Sequence, residues 1–109
     1  FKIHVALFKQ FDSDVRERGA LPLVVFFPDL ETVVRGAAGQ PPPYAPLQDE
    51  LREHGIDYVD VREAFLAAPP IPKAQDWFMP GGHYSPSANQ VVAAWLRPRL
   101  FERVRENGF

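Results

Sequence analysis

The sequence predicts an α/β fold in which helices alternate with the strands of a parallel sheet. The clearest strand is the unbroken apolar run Leu23–Phe27, which lies between two prolines and is typical of a strand covered on both faces. A second short strand is predicted at residues 56–60, "IDYVD", and helical patterns precede, separate and follow the two strands. Because two strands are too few for a stable parallel sheet, we expect these residues to form half of a domain.

The helices follow from the spacing of the apolar residues. Over residues 1–19, Val5, Phe8 and Val15 recur at helical spacing, and Gly19 can end the helix. The later helices are predicted at residues 30–35, 44–51, 60–67 and 86–104, with a proline-rich loop at 36–46 and a long loop at 68–84. Proline removes a backbone donor and clashes one turn back, so we expect Pro98 to kink or split the last helix.

Composition excludes several classes of partner. The net charge is −2, from 12 Lys and Arg against 14 Asp and Glu, so no basic surface for nucleic acid is expected. No apolar run approaches the roughly 18 residues that would suggest a membrane span. The chain has no cysteine, its three histidines share no metal-ligand spacing, and it has no glycine-rich phosphate loop. The sequence therefore predicts no metal and no cofactor.

The segment "PGGHYSPSANQ", residues 80–90, contains the best candidate for chemistry, His83. Ligands of open α/β sheets bind beyond the carboxyl ends of the strands, where Asp29 and Asp60 also fall. A nearby helix N-terminus disfavours the protonated imidazole, which would leave His83 able to accept a proton. The alternatives are ordinary ones: a loop histidine is more often a turn residue, and both aspartates are more often helix caps.

A resemblance to a known family strengthens the case for a catalytic role of His83. The segments "LPLVVFFPD", "HGIDYVDV", "DWFMP" and "GGHYSPSANQVVAAWL" resemble, in this order, blocks in the C-terminal half of the SGNH (GDSL-like) hydrolase domain. The resemblance covers residues 21–96. It implies a three-layer, flavodoxin-like parallel sheet with flanking helices, of which residues 1–109 are the C-terminal portion. It also slightly favours a periplasmic or secreted location.

The resemblance assigns roles residue by residue. His83 matches the general base of the family, and Asn89 matches a residue in the first turn of the last helix. Pro80 stands where the family has the aspartate that orients the imidazole, so Asp76, the nearest upstream carboxylate, is the candidate replacement. Without it, the site would be a Ser–His dyad in which a backbone carbonyl holds the ring.

The same resemblance places the nucleophile elsewhere. The serine, glycine and asparagine of the earlier blocks would precede Phe1, and neither Ser13 nor Ser85 has a matching context. Because the chain begins with phenylalanine, we expect it to be processed or truncated. As it stands, we also expect it to be inactive. A general base without a nucleophile or oxyanion donors cannot stabilise the transition state of acyl transfer.

Three functions are consistent with these observations. The first is an ester or O-acyl hydrolase, with an acetylated carbohydrate as a candidate substrate. The second is an SGNH-type O-acetyltransferase, which uses closely related chemistry. The third is a non-catalytic α/β module whose exposed strand edges are covered by a partner, an upstream segment or a second copy of the chain.

Overall fold

The computed structural model describes residues 2–67 and 74–108. Within these ranges, two strands and six helices follow one another along the chain. They are α1 Lys2–Glu17, β1 Val24–Phe26, α2 Leu30–Ala37, α3 Ala45–Glu53, β2 Tyr58–Asp60, α4 Arg62–Ala67, a 3-10 helix Ala74–Trp77, and α5 Pro86–Glu106. Each predicted helix therefore has a counterpart, and both predicted strands form, although each is shorter than expected.

The prediction of a three-layer, flavodoxin-like sheet is wrong. The described residues are mostly helical, and their sheet consists of β1 and β2 alone. The strands pair in parallel, as expected, with Val25 opposite Val59 and one pair on each side of it. Each strand keeps only three ladder residues, because β1 ends at Phe26, two residues before Pro28, and β2 begins at Tyr58 and not at residue 56.

The main core lies on the face of the sheet that carries Val25 and Val59. Helices α2, α4 and α5, the 3-10 helix and the turn residue Val61 contribute its buried side chains. These are Val33, Val61, Ala64, Phe65, Trp77, Ala88 and Val92. Three of them have at most 2 % of their surface exposed, so the helices have little freedom to shift against the sheet.

Aromatic rings cover the opposite face of the sheet. Phe26 stacks on Tyr44, which directly precedes α3, with 4.8 Å between the ring centroids. Tyr58 meets the same phenylalanine edge-on at 5.6 Å. Helix α1 then packs against α3 through its buried Val5. The sheet is thus held between helices on both faces, in spite of its small size.

Helix α5 runs through Pro98 without interruption, so the helix is not split there, and a kink at Pro98 stays a prediction. The carbonyl that loses its donor belongs to Ala94, which is exposed and can turn towards water. Near the end of the helix, Arg103 donates to the Pro22 carbonyl at 2.6 Å and lies 2.8 Å from the Asp57 carboxylate. This side chain joins α5 to the residues that precede both strands.

The predicted loop at 68–84 is only partly a loop. Its first six residues, 68–73, lie outside the described ranges. The remainder contains the 3-10 helix and an antiparallel bridge between Phe78 and Tyr84. No pattern in the sequence predicts this bridge, because its partners flank a glycine turn that carries no strand pattern.

Leu51 tests the packing of α3, because its side chain is completely buried. We expect Leu51→Ala to lower the free energy of unfolding by about 2–5 kcal/mol, through lost burial and the cavity left behind. Leu7→Ala, on α1, is the control because Leu7 is 65 % exposed. Urea denaturation of both variants measures the difference, and equal losses would contradict the described packing of α3.

Candidate functional site

His83 lies at the end of a short hairpin formed by residues 78–84. The backbone N–H of Met79 donates to the His83 carbonyl at 2.6 Å, and the N–H of Gly82 donates to the Met79 carbonyl at 3.0 Å. Gly81 and Gly82 both have left-handed backbones, with φ of +89° and +84°. Because other residues adopt this conformation rarely, the two glycines are what allows the chain to turn back before His83.

The hairpin is fastened to the carboxyl edge of the sheet. The hydroxyl of Tyr84 donates to the carbonyl of Pro28, just beyond β1, at 2.7 Å. The N–H of Ser85 donates to the Trp77 carbonyl at 2.8 Å, and the Phe27 and Tyr84 rings lie 6.3 Å apart. His83 therefore lies beside the strand ends, where the sequence predicted a site.

The imidazole of His83 is exposed to solvent. It lies beside Gly81, since a Cβ at that position would be 3.6 Å from Cδ2 of the ring. Among the described residues, no side chain forms a hydrogen bond or an ion pair with the imidazole. Ser85 caps α5 by accepting from the Ala88 N–H at 3.1 Å, as predicted. His83 therefore lies two residues before the cap of α5, and its imidazole is accessible to a reacting group.

The structure does not bring Asp76 to His83. In the hairpin, His83 is opposite Met79, whereas Asp76 lies in the preceding 3-10 helix and is exposed. No hydrogen bond or ion pair joins the two side chains in the described part of the chain. Asn89 is exposed on α5, and its backbone N–H donates to the Ser85 carbonyl. The catalytic role of Asp76 stays a prediction.

Asp29 acts as the cap of α2. Its carboxylate accepts from the Thr32 N–H at 2.8 Å. Hydrogen bonding from Thr32, through its side chain first and its backbone second, holds the pKa of Asp29 below its ordinary value. The ordinary interpretation of this residue is confirmed, and Asp29 also places a negative charge beside the hairpin.

Asp60 forms a buried hydrogen-bond network that its place in the sequence does not predict. Only 7 % of the residue is exposed. Its carboxylate accepts from the Tyr44 hydroxyl at 2.9 Å, the Gln48 amide at 3.0 Å and the Arg62 backbone N–H at 3.0 Å. The four-residue spacing of Tyr44 and Gln48 was the available signal, because it places them on one helix face.

This network also holds the proline-rich loop. Tyr44 ends that loop, and the Arg62 guanidinium donates to the Gln40 carbonyl within it at 3.3 Å. Burial, followed by the hydrogen bond to Asp60, raises the pKa of Tyr44 above its ordinary value. Tyr44 therefore remains a neutral donor to Asp60. The loop is tied to β2 and α4 by side chains that lie well away from it in sequence.

An open groove of about 540 Å³ runs between α2 and the hairpin. Three charged residues, two apolar residues and one glycine contribute to it. They are Asp29, Leu30, Glu31, Val34, Arg35 and Gly82. Because Gly82 directly precedes His83, a molecule in this groove would lie next to the candidate base.

The comparisons with known proteins give no independent identification. No protein-family model matches the chain, and neither curated proteins nor solved structures provide a match. No helix within residues 2–67 and 74–108 is long and apolar enough to cross a membrane. Over the same ranges, no group of three or more His, Asp or Glu side chains could hold a metal ion.

Tyr84→Phe tests the link between the hairpin and the sheet. We expect a loss of about 1–2 kcal/mol in the free energy of unfolding, because Pro28 is buried and its carbonyl loses its donor. Tyr58→Phe is the matched control, since no described residue is hydrogen-bonded to the Tyr58 hydroxyl. Its change should stay within about 0.5 kcal/mol. Chemical denaturation measures both, and an unchanged Tyr84→Phe variant would contradict the link.

The pH dependence of stability provides a second test of Tyr84. Burial, followed by the negative charges of Asp29 and Asp60, raises the pKa of Tyr84 to about 12. In the unfolded chain this pKa is about 10, so the folded state holds the phenol proton to higher pH. The contribution of Tyr84 to stability is therefore complete below pH 10 and decreases as the pH rises towards 12. Denaturation across this range should show a shallower decrease for Tyr84→Phe than for the wild type, and equal slopes would exclude the effect.

Proposed function

We propose that this chain supplies the general base, His83, of an SGNH-like ester or O-acyl hydrolase. The observation that carries the proposal is the hairpin: Tyr84 fastens it to Pro28, and the two glycines bring an exposed imidazole to the carboxyl edge of the sheet. The ordered sequence resemblance supports the same residue. The nucleophilic serine and the oxyanion donors are proposed to lie outside these 109 residues.

In this mechanism, the imidazole of His83 accepts the hydroxyl proton of the serine as its oxygen attacks the acyl carbon. The protonated ring then donates that proton to the leaving alcohol, and a water molecule repeats the sequence to release the acid. Both steps require an imidazole with a nitrogen open to the reacting atoms. The exposure of His83 meets this requirement.

Of the two arrangements considered for the base, the geometry favours the Ser–His dyad. No described carboxylate forms a hydrogen bond or an ion pair with the imidazole, and in the resemblance Pro80 occupies the position of the orienting aspartate. Asp76 would have to approach His83 when substrate binds in order to complete a triad, and catalytic hydrogen bonds do tighten in such complexes. The choice between dyad and triad is therefore an experimental one.

The groove between α2 and the hairpin is the proposed place for the leaving alcohol. The base returns its proton to that alcohol, so the alcohol must lie beside His83. The groove surface is almost wholly apolar, and there Leu30 and Val34 offer area to the face of a sugar ring, while Glu31 and Arg35 pair with each other at 2.9 Å. An acetylated carbohydrate stays the candidate substrate. With a second alcohol in place of water, the same groups would serve an O-acetyltransferase.

A non-catalytic interaction module is the second candidate. The missing carboxylate partner of His83 favours it, as do the large apolar side chains on the surface. Among these, Ile3 is 75 % exposed and Leu7 65 % exposed on one face of α1. Such side chains are typical of surfaces that bind other proteins.

The decisive variant is His83→Ala, assayed in the natural protein that contains this chain. We expect ester hydrolysis to fall by about 10²–10⁴-fold, together with labelling by a serine-reactive fluorophosphonate, because the base is lost. His54→Ala is the matched control, since His54 is an exposed histidine directly after α3 that lies near Glu50. Circular dichroism checks folding. Equal turnover in the His83 and His54 variants would reject the proposal and favour the interaction module.

Asp76→Asn separates the dyad from the triad in the same assay. We expect kcat to remain within about threefold of the wild type, because Asp76 does not contact His83 in the structure. A loss of about 10²-fold or more, with KM unchanged, would instead show that Asp76 orients the base.

A further inference from the structure

We propose that Asp29 makes the groove beside His83 selective for the charge of the leaving alcohol. Alcohols that carry a cationic amine are favoured, and anionic alcohols are rejected. The inference rests on the proposed function and names the class of substrate that the same site takes. It depends on the position of the Asp29 carboxylate, on its fixed negative charge and on the pairing of the other charges in the groove.

Asp29 lines two cavities at the carboxyl edge of the sheet. One is the groove between α2 and the hairpin, which also includes Gly82, the residue before His83. The other is a smaller cavity of about 180 Å³, to which Pro41 and Pro43 of the proline-rich loop contribute. A leaving alcohol that occupies the groove next to His83 therefore lies within reach of the Asp29 carboxylate.

Two properties of Tyr84 also show that Asp29 is close to the hairpin. The hydroxyl of Tyr84 donates to the carbonyl of Pro28, the residue before Asp29, at 2.7 Å. Burial, followed by the negative charge of Asp29, raises the pKa of Tyr84. Because Tyr84 directly follows His83, the charge of Asp29 acts on the same part of the hairpin as the candidate base.

The Asp29 carboxylate is held in place and is ionised at neutral pH. One of its oxygens accepts from the backbone N–H of Thr32 at 2.8 Å, and only 4 % of Thr32 is exposed. The hydrogen bonds from Thr32, through its side chain first and its backbone second, hold the pKa of Asp29 below its ordinary value. A carboxylate has about four acceptor positions, so capping α2 leaves acceptor capacity for a ligand.

The other two charges of the groove cancel each other. Glu31 and Arg35 lie one turn apart on α2, and their side chains pair at 2.9 Å. Within residues 2–67 and 74–108, no Lys, Arg or His side chain forms an ion pair with Asp29. The net charge of the described groove is therefore that of Asp29. Since the groove surface is almost wholly apolar, this charge is screened less than it would be on a polar surface.

An alcohol with an ammonium group matches these properties. Its positive charge is attracted to Asp29, while its carbon skeleton covers Leu30 and Val34 in the groove. A carboxylate or phosphate on the alcohol would instead meet a like charge, and like charges placed together weaken binding. Among acetylated carbohydrates, the favoured class is therefore that of amino sugars, and uronic acids are disfavoured.

Three acetate esters that differ in charge test the proposal in the natural protein that contains this chain. They are acetylcholine, its uncharged isostere 3,3-dimethylbutyl acetate, and the anionic ester 4-acetoxybutanoate. We expect kcat/KM for acetylcholine to exceed that for the uncharged ester by about tenfold, and kcat/KM for the anionic ester to be lower by about tenfold. Because all three esters transfer the same acetyl group, the two ratios report on the alcohol.

Asp29→Asn separates the charge of this residue from its role as a cap. Asparagine caps helices about as well as aspartate does, so α2 keeps its N-terminus while the groove loses its net charge. We expect both ratios to fall to within about twofold of equality. Asp49→Asn is the matched control, because Asp49 is exposed on α3 and lines neither cavity. Its ratios should equal those of the wild type, and circular dichroism checks that both variants fold.

Arg35→Gln provides the opposite prediction and leaves the cap unchanged. Without Arg35, Glu31 is unpaired and the groove gains a second net negative charge. We expect the preference for acetylcholine over its uncharged isostere to rise by about threefold. A fall in this preference would contradict the proposed charge selection.

The remaining contrary results separate this inference from the proposed function. Hydrolysis that depends on His83 but has equal kcat/KM for the three esters would reject charge selection and leave the proposed function intact. Ratios that persist in Asp29→Asn would show that other residues select the charge, and would reject the role of Asp29. If none of the esters is hydrolysed in a way that depends on His83, the proposed function is rejected, and this inference with it.

Discussion

The arrangement of the described helices and strands depends most on the hydrogen bonds of the buried Asp60 carboxylate. It accepts hydrogen bonds from the end of the proline-rich loop, from α3 and from the start of α4, and it belongs itself to β2. A buried carboxylate is stable only when its oxygens are satisfied, so these elements can adopt few other relative positions. Because each strand pairs through only three residues, this polar network fixes relative positions of the elements that a larger sheet would otherwise fix.

The candidate base depends on a second polar contact at the same sheet edge. Tyr84 is half-buried and joins the hairpin to the carbonyl of Pro28, while its ring packs edge-on against Phe65 in the core, with 5.4 Å between centroids. The residue next to His83 therefore anchors the hairpin, and His83 itself stays free. This division of roles between neighbouring residues is typical of sites in which a rigid scaffold presents a reactive side chain.

Local features were the ones that the sequence could predict. Asp29 and Ser85 cap their helices as expected, because a cap depends only on residues within one turn. The parallel pairing also followed from sequence, since unbroken apolar runs alternating with helices favour it. The extent of the sheet did not follow, because local hydrophobicity does not show how many strands a chain brings together.

The interactions that form the site depend on distant residues. The Tyr84–Pro28 bond spans 56 positions and the Tyr44–Asp60 bond spans 16, and neither pair leaves a periodic pattern. Asp76 is a candidate because it precedes His83 closely in sequence, whereas the hairpin register places Met79 opposite His83. The residues between them belong to a 3-10 helix and a turn, and the catalytic role of Asp76 stays a prediction.

The long separation between Pro28 and Tyr84 also bears on how the protein is made. During synthesis, β1 leaves the ribosome well before Tyr84 does, and Arg103, which binds the Pro22 carbonyl 81 positions away, emerges later still. Helices α2, α3 and α4 form from nearby residues and can fold early, whereas closing such long loops is slow. The hairpin that carries His83 therefore reaches its place only after β1, β2 and the helices between them have been synthesised.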